Sequence, residues 1–462
     1  TRTFAYDSDD NLTSETDPLG NTTSYAYNGS GALTTIVDAA GGSTNFAYDA
    51  NGNLTQSRNA DGDVVQTMSY DGAGNPTQLN TLGGSTTYEY DVFGNVVTQQ
   101  GPGSQLRTYT YDLNGNKLTA TRRRTVGGSA VDETTSYSYD AAGRLLSVTD
   151  PVGNTTAFTY DDLGNVLTQT DPLGNRTRFE YDTRGNLVRR EYPGGSVELF
   201  AYDAENRMTA KTDRSGRTTF YDYDAQGNLI ESLFPDGRVV TNAYNANGDL
   251  ISTTDPLGNR TTLDYDARGQ LISITDPMGN VTAYTYDARG ARVSMTDPVG
   301  NITQYEYDQS QFGASRLSRT VFPDGTSTQR SYAINGRMAS QTDETGSTTQ
   351  FRYDEAGNLD TVTDALGGET SYTYDEAGNR LTQTDANGNT TSFAYDANGR
   401  TLRRTLPLGM VETFEYDAAG RQVAHTNFNG DRITFEYDVL NQLTGKTLPD
   451  GSTVTYTYTP VG

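Results

Sequence analysis

The chain has 462 residues, of which 33% are hydrophobic, and it has a formal net charge of −25 and no cysteine. A hydrophobic fraction well below the roughly 45–50% of ordinary globular chains argues against several conventional domains with large cores. The acidity makes nucleic acid an unfavourable partner, the lack of cysteine excludes disulfides and thiolate metal sites, and no apolar run is long enough for a transmembrane helix.

From its first residues onward, the chain repeats one pattern around a tyrosine. This anchor tyrosine occurs 22 times between Tyr6 and Tyr458, and 17 of the 21 intervals are 21 residues long. An aromatic residue precedes most anchors by two positions, as Phe4 and Tyr25 do, and such positions share one face of a strand. The pattern predicts a β-strand that ends at each anchor. The predicted structural anchors include Tyr27, Tyr48, Tyr160, Tyr181, Tyr202, Tyr223, Tyr265, Tyr286, Tyr374, Tyr395, Tyr416 and Tyr437.

The first predicted turn, here the YD turn, follows each anchor and reads Tyr-Asp-x-x-Gly-Asn. Three repeats of normal length replace its Gly with Asp10, Asn206 or Asn441, which are residue types that tolerate positive φ. We therefore predict a left-handed residue in this column of every repeat. The predicted turn glycines include Gly52, Gly164, Gly185, Gly227, Gly269 and Gly378.

The second predicted turn follows a second strand, which often begins with Leu, and its full form is Asp-Pro-x-Gly-Asn, as at residues 150–154. Pro presets φ at the first corner, and Gly supplies a positive φ two residues later. One repeat is thus strand, turn, strand, turn, with no room for a helix. We predict a single continuous array of 22 repeats over residues 1–462, an excerpt of a larger protein, with longer repeats at 112–139 and 308–332.

These repeats predict an all-β fold made of tandem hairpins. One face of the sheet has the aromatic pairs and the Leu of the second strand, and the other has Thr, Ser and Gln. One repeat buries too little apolar surface to fold alone, so neighbouring repeats must stack as in a solenoid. Because an exposed aromatic face would aggregate, we expect the spiralling sheet to curl into a tube or hollow shell with that face inward.

The sequence predicts no catalytic residue, no metal site and no cofactor. The single histidine, His425, fits an incidental surface or strand residue better than a catalytic one. The Asp columns fit capping of the turns better than Ca²⁺ binding. The tyrosine columns fit core packing better than a carbohydrate-binding surface.

Two longer repeats interrupt the regular spacing. Arg122, Arg123 and Arg124 stand at the start of the first, where we expect a solvated strand end or loop rather than a nucleic-acid site. The second extends a turn at residues 309–312. Either insertion is a candidate docking loop, although neutral drift is the favoured explanation of both.

The string Thr-Thr-Ser-Tyr-Ala-Tyr, then Gly-Asn-Leu-Thr and Thr-Asp-Pro-Leu-Gly-Asn, resembles the YD repeat. This repeat is shared by rearrangement-hotspot (Rhs) proteins, the B and C components of Tc toxins, wall-associated proteins and teneurins, and the resemblance covers nearly the whole chain. It implies a spiralling sheet around a hollow shell that holds a C-terminal toxin cargo, with a secretion or delivery apparatus as partner. It also implies a secreted or cell-surface location. The self-cleaving aspartyl protease segment of the family is not found, so no catalytic residue is carried over.

The resemblance favours a structural shell for toxin encapsulation and delivery. The alternative is an extracellular adhesion or surface-filament module, which would bind glycans through exposed aromatics or associate with itself. An enzyme ranks last, because no group of residues in the repeat converges on a catalytic arrangement.

Overall fold

The computed structural model describes residues 1–308 and 316–459, and within them it contains 43 β-strands and one short 3-10 helix at Pro102–Ser104. None of the described residues forms a helix long and apolar enough to cross a membrane. The insertion at residues 309–312 lies outside the described residues. The strands of the first half are β1 Thr3–Tyr6, β2 Leu12–Thr16, β3 Thr22–Tyr27, β4 Leu33–Val37, β5 Ser43–Tyr48, β6 Leu54–Arg58, β7 Val64–Tyr70, β8 Pro76–Thr81, β9 Gly84–Tyr90, β10 Val96–Gln100, β11 Leu106–Tyr111, β12 Lys117–Val126, β13 Ser129–Tyr139, β14 Leu145–Thr149, β15 Thr155–Tyr160, β16 Val166–Thr170, β17 Arg176–Tyr181, β18 Leu187–Glu191, β19 Val197–Tyr202, β20 Met208–Thr212, β21 Thr218–Tyr223 and β22 Leu229–Leu233. Those of the second half are β23 Val239–Tyr244, β24 Leu250–Thr254, β25 Arg260–Tyr265, β26 Leu271–Thr275, β27 Val281–Tyr286, β28 Arg292–Thr296, β29 Ile302–Asp308, β30 Arg316–Val321, β31 Ser327–Tyr332, β32 Met338–Thr342, β33 Thr348–Tyr353, β34 Leu359–Thr363, β35 Glu369–Tyr374, β36 Arg380–Thr384, β37 Thr390–Tyr395, β38 Thr401–Thr405, β39 Val411–Tyr416, β40 Gln422–Thr426, β41 Arg432–Tyr437, β42 Leu443–Thr447 and β43 Thr453–Thr455.

The strands pair antiparallel in chain order, and they form one sheet. In the hairpin of β15 and β16, Phe158 lies opposite Gln169, whereas Tyr160 lies opposite Val166 after a one-residue shift in register. The same shift recurs just before the anchor tyrosine in the other YD hairpins for which the pairing is described. A local bulge of this kind bends the strand and increases its twist.

Both turns have the same hydrogen-bond pattern. In the YD turn, the Gly164 N–H donates to the Asp161 carbonyl over 3.2 Å, and in the second turn Gly153 donates to Asp150 over 3.0 Å. The pattern is that of a type I turn followed by a left-handed residue that forms a glycine bulge. The predicted left-handed column is confirmed even where Gly is absent: φ is 62° at Asp10, 64° at Asn206 and 64° at Asn441.

The sheet is a single layer with one face half-buried. In β3 the aromatic residues Tyr25 and Tyr27 are half-buried, while Ser24 and Ala26 between them are exposed. Among the described residues, Ala424 is the only hydrophobic side chain that is fully buried. The predicted all-β hairpin array, with the aromatic residues on its sheltered face, is confirmed.

The chain divides into two compact units, each built from separate stretches of sequence. Unit 1 comprises Thr1–Glu89, Gly101–Gly103 and Thr241–Glu369. Unit 2 comprises Tyr90–Gln100, Ser104–Val240 and Thr370–Gly462. Each unit therefore brings together repeats that are far apart in the chain. The prediction of one continuous domain over residues 1–462 stays a prediction.

Candidate functional site

Each complete turn is closed by the aspartate that opens it. The Asp161 carboxylate accepts hydrogen bonds from the Leu163 N–H over 2.9 Å and the Asn165 N–H over 2.8 Å, and the Asn165 side-chain amide donates to it over 2.9 Å. The bond from the Asn165 side chain is the main reason why the pKa of Asp161 lies below its ordinary value. Turn capping, the favoured interpretation of the Asp columns, is confirmed.

The anchor tyrosines connect each repeat to the one before it. The Tyr160 hydroxyl donates to the Leu145 carbonyl over 2.7 Å, and Tyr286 donates in the same way to Leu271 over 2.7 Å. Each bond joins residues 15 positions apart. Burial raises the pKa of Tyr286, which keeps the hydroxyl protonated and able to donate. The equivalent bond is made by Tyr27, Tyr48, Tyr223, Tyr265, Tyr395, Tyr416 and Tyr437, and Tyr181, Tyr202 and Tyr374 end β17, β19 and β35 in the same position.

The six predicted turn glycines all lie in YD turns. Their φ angles are 87° at Gly52, 90° at Gly164, 85° at Gly185, 92° at Gly227, 83° at Gly269 and 84° at Gly378. An L-residue with a Cβ is strained there, so these positions fix the path from the first strand of a repeat to the second.

Arginine replaces the last Asn of the YD turn in several repeats, a substitution that the sequence analysis did not use. The Arg421 guanidinium pairs with Asp417 over 2.7 Å, donates to the Asp438 carbonyl over 3.1 Å and lies 4.8 Å from the Tyr437 ring centre. It thereby connects two successive YD turns. The recurring Arg after the left-handed residue was the available signal, and Arg144, Arg207 and Arg400 make the same contacts.

In unit 1, second turns contact YD turns from much later in the chain. Arg268 lies 2.8 Å from the carboxylate of Asp17, and Arg289 lies 2.8 Å from that of Asp38, which is 251 residues away. That separation is about twelve repeats. Burial alone would raise the pKa of Asp38, but the hydrogen bonds from Arg289 and from the Gly42 and Ala40 N–H groups, with the charge of Arg289, together outweigh burial and the pKa is lowered. We call such a contact, between a second turn and the YD turn about twelve repeats later, the seam.

Close backbone approach accompanies the seam in unit 1. A Cβ placed on Gly103, whose φ is 62°, would lie only 2.8 Å from the Cβ of Ala356 in the YD turn that follows Tyr353. Glycine is therefore the residue that lets these two parts of the chain touch.

Unit 2 has a seam of its own. The Asn398 side chain in a YD turn donates to Asp150 over 2.7 Å, across 248 residues. Arg122 donates to the Ala397 carbonyl over 3.0 Å in the same YD turn. The two units thus use the same kind of turn-to-turn contact.

The prediction that Arg122, Arg123 and Arg124 form a solvated strand end or loop is wrong for Arg124, whereas the Arg123 side chain is solvated at 51% exposure. They lie inside β12, which pairs with β13 in a long hairpin, and the Arg124 side chain is only 5% exposed. Arg124 is buried because it has two acidic partners, Glu133 on β13 and Asp375 at 3.3 Å in a YD turn 251 residues later. The neighbouring Thr125 adds two bonds of 2.7 Å to Glu376.

His425 lies within β40, as a strand residue. Its Nε2 is 2.7 Å from Glu412, and its ring stacks on Phe414 with the ring centres 5.1 Å apart. Arg404 pairs with the other oxygen of Glu412 over 2.6 Å. The Glu412 carboxylate thus lies between an imidazole and a guanidinium, and no hydroxyl nucleophile lies beside the imidazole among the contacts described. The described residues also contain no group of three His, Cys, Asp or Glu side chains placed to hold a metal.

Comparison with known proteins agrees with this architecture. The Teneurin YD-shell model matches residues 128–260 and 315–461, and the RHS Repeat model matches residues 6–44, 48–86, 70–105, 244–277 and 265–302. A search of curated proteins gives no match.

Solved structures share the fold at low sequence identity. A chain of the crystal structure of TcdB2-TccC3-Cdc42 is 15% identical with a TM-score of 0.73, and the likeness covers 99% of this chain and 34% of that one. A chain of the Photorhabdus luminescens Tc holotoxin pore is 15% identical with a TM-score of 0.69, over 100% of this chain and 34% of that one. This chain therefore spans about a third of the length of these proteins.

The fold and the seam define a class of protein, a tandem β-hairpin array whose single sheet is joined to itself through its turns. Within that class, the chain belongs to the Teneurin YD-shell family, whose model matches more than half of it. The resemblance to YD-repeat and Rhs proteins is confirmed.

Proposed function

We propose that this array is a wall segment of a secreted bacterial shell that encloses a toxin cargo on its C-terminal side until delivery. The proposal combines the membership of the YD-shell family with the fold shared with chains of Tc toxin structures. Its partners are the enclosed cargo and the other components of the delivery apparatus. The array itself has a structural role in this proposal.

The seam is the observation that carries the proposal. A sheet ordinarily ends in free rows of turns, but here Arg268 and Arg289 join one row to another about twelve repeats away. Unit 2 does the same through Asn398 and Arg124. When a long ribbon-like sheet is joined to itself along its two rows of turns, it becomes a continuous wall. A continuous wall is needed to enclose a cargo.

The tyrosine columns support the shell over a carbohydrate-binding adhesion module. The anchor hydroxyls donate to backbone carbonyls of the preceding repeat, as Tyr48 does to Leu33 over 2.8 Å. A tyrosine held in this way stabilises the sheet, and it is half-buried rather than displayed. We therefore retain the adhesion or surface-filament module only as the alternative that the experiment below must exclude.

The test is protection of the cargo from an added protease, in the polypeptide in which the array is followed by its cargo. We expect the cargo to be resistant in the wild type and to be cleaved at least about tenfold faster in the seam variant Arg268→Ala/Arg289→Ala. The matched control is Arg217→Ala/Arg238→Ala, which removes two arginines that pair within their own turns. A cargo that is cleaved rapidly in the wild type, or an open rod in electron cryomicroscopy, would overturn the proposal.

A further inference from the structure

One YD turn, residues 333–337, lacks the carboxylate that closes the others. It opens with Ala333, whereas the other YD turns after the anchors from Tyr6 to Tyr437 open with Asp or Asn. Arg337 stands in the column where an arginine elsewhere pairs with the opening Asp of its own turn, as Arg421 does with Asp417. The same pair is made by Arg144, Arg207 and Arg400. This turn therefore has the cation of the pair without the anion.

The other contacts of Arg337 match those of its counterparts. Its guanidinium lies 5.6 Å from the Tyr353 ring centre, and a Cβ added to Gly357 in the next YD turn would overlap it. The Arg337 backbone N–H donates to the Asn335 side chain over 3.1 Å. Among the residues that the structure describes, the Arg337 side chain has no acidic partner. The counterparts thus identify the missing group as a carboxylate beside Ala333.

The facing second turn supplies no carboxylate either. It is the two-residue turn of Leu82 and Gly83 between β8 and β9, and a Cβ added to Gly83 would lie 3.9 Å from Nη2 of Arg337. At the seam contacts of unit 1 described above, the second turn supplies Asp17 or Asp38 to an arginine of the facing YD turn. Both acids of the ordinary arrangement are therefore absent at the same place.

A pocket of about 610 Å³ lies between these turns, and its lining residues all belong to unit 1. Arg337 lines one part, and Leu82, Pro102 and Phe351 provide apolar walls. Small-molecule sites have volumes of roughly 300–1,000 Å³ and combine mainly apolar walls with a few polar groups. Turns of this chain form both sides of the pocket, so its opening results from the short second turn and from Ala333.

Two acidic residues also line the pocket, and neither neutralises Arg337. The Asp354 carboxylate accepts hydrogen bonds from the Asn358 N–H over 2.8 Å and from the Asn358 side-chain amide over 3.0 Å, so it caps its own turn. Glu355 is exposed and forms no ion pair with Arg337. The guanidinium of Arg337 is thus available to an external anion.

We propose that this pocket binds a small organic acid, whose carboxylate pairs with Arg337 beside Ala333. Its apolar part lies against Leu82, Pro102 and Phe351. The planar guanidinium matches a carboxylate with two parallel hydrogen bonds, and such charge-assisted bonds are stronger than neutral ones. Binding of this kind goes beyond the proposed function, because it needs neither a cargo nor a delivery apparatus.

The experiment is a titration of the full chain with phenylacetate, followed by saturation-transfer NMR of the ligand. We expect saturable binding to the wild type. Ala333→Asp should weaken it at least about tenfold, because the new carboxylate pairs with Arg337 as in the counterpart turns. Arg337→Ala should weaken it to a similar extent. If Arg337→Ala does not fold, Ala333→Asp decides, since it restores the residue type that opens most YD turns.

The matched control is Ala204→Asp, which adds the same charge to a YD turn where Asp203 already pairs with Arg207, and it should leave the affinity unchanged. The neutral analogue phenylacetamide and the smaller acid acetate should both bind more weakly than phenylacetate. The site is ruled out if the wild type does not bind phenylacetate saturably, if Ala333→Asp binds it as well, or if phenylacetamide binds equally. Acetate binding as tightly as phenylacetate would refute the role of the apolar walls.

Discussion

Arg123 and Arg124 are adjacent in β12, yet their side chains enter opposite environments. Arg123 pairs with Asp132 where both side chains are about half exposed, at 51% and 48%. Arg124 is 5% exposed, and its partners Glu133 and Asp375 are 1% and 0% exposed. Successive side chains of a strand lie on opposite faces, so Arg123 lies in solvent and Arg124 lies in the seam. We therefore expect these two adjacent arginines to contribute differently to stability.

Arg124→Met should lower the free energy of unfolding by about 3–5 kcal/mol, because it leaves two buried carboxylates without a counter-charge. Urea denaturation followed by circular dichroism measures the change. The control is Arg123→Met, for which we expect little change because solvent already screens its pair. Equal effects of the two substitutions would contradict a role for Arg124 in the seam.

At the scale of the hairpin, a turn is specified by one backbone conformation and one carboxylate. The left-handed residue sets the bend, and the opening Asp satisfies the N–H groups that the bend exposes. Asn206 shows that the conformation is what matters, since it occupies the glycine column with a φ of 64°. The anchor tyrosine then connects the finished hairpin to its predecessor.

Gly227→Ala should destabilise the array by about 1–2 kcal/mol, because Gly227 has a φ of 92° and Ala has a Cβ that strains this conformation. Gly227→Asn should cost less, as Asn tolerates the left-handed region. Gly29→Ala is the control, since Gly29 has no positive φ and open space around it. Thermal unfolding of the three variants measures the order, and an Asn variant no better than the Ala variant would refute the explanation.

At the scale of the whole molecule, the capped turns make the stability of the chain sensitive to acid. Hydrogen bonds from Asn side chains are the main cause of a lowered pKa at Asp49, Asp161 and Asp224, and the same cause leads at Asp71, Asp112 and Asp255. A carboxyl with a lower pKa in the folded state stabilises the fold above its ordinary pKa of about 3.9, and this contribution is lost as pH falls through the folded value.

Thermal stability should therefore change little from pH 7 to pH 5 and fall steeply below about pH 4. Melting curves over this range measure it. In Asn228→Ala the pKa of Asp224 should return toward its ordinary value, so this variant should lose less stability on acidification than the wild type. A loss of stability that is already complete between pH 7 and pH 5 would contradict this expectation.

Local features of this fold could be read from the sequence, whereas the seam could not. The strand ends at the anchors, the two turns and the left-handed column follow from residue types within one repeat, including Asp10 and Asn441. Arg268 and Arg289 look like ordinary turn residues, because their partners lie about twelve repeats earlier. Which turns meet depends on small twists summed over many strands, and no single repeat determines that sum. Arg124 was misjudged for the same reason.

The distance of about twelve repeats across the seam has a genetic consequence. Tandem repeats gain and lose whole copies by unequal recombination, and a gain of one repeat between Asp38 and Arg268 would move every later turn along by one place. Asp38 would then face the turn of Arg268 rather than that of Arg289, with the same two side-chain types in contact. Because the seam contacts recur once per repeat, the array can gain or lose whole repeats and still form them. An insertion of any other length would place the facing turns out of register.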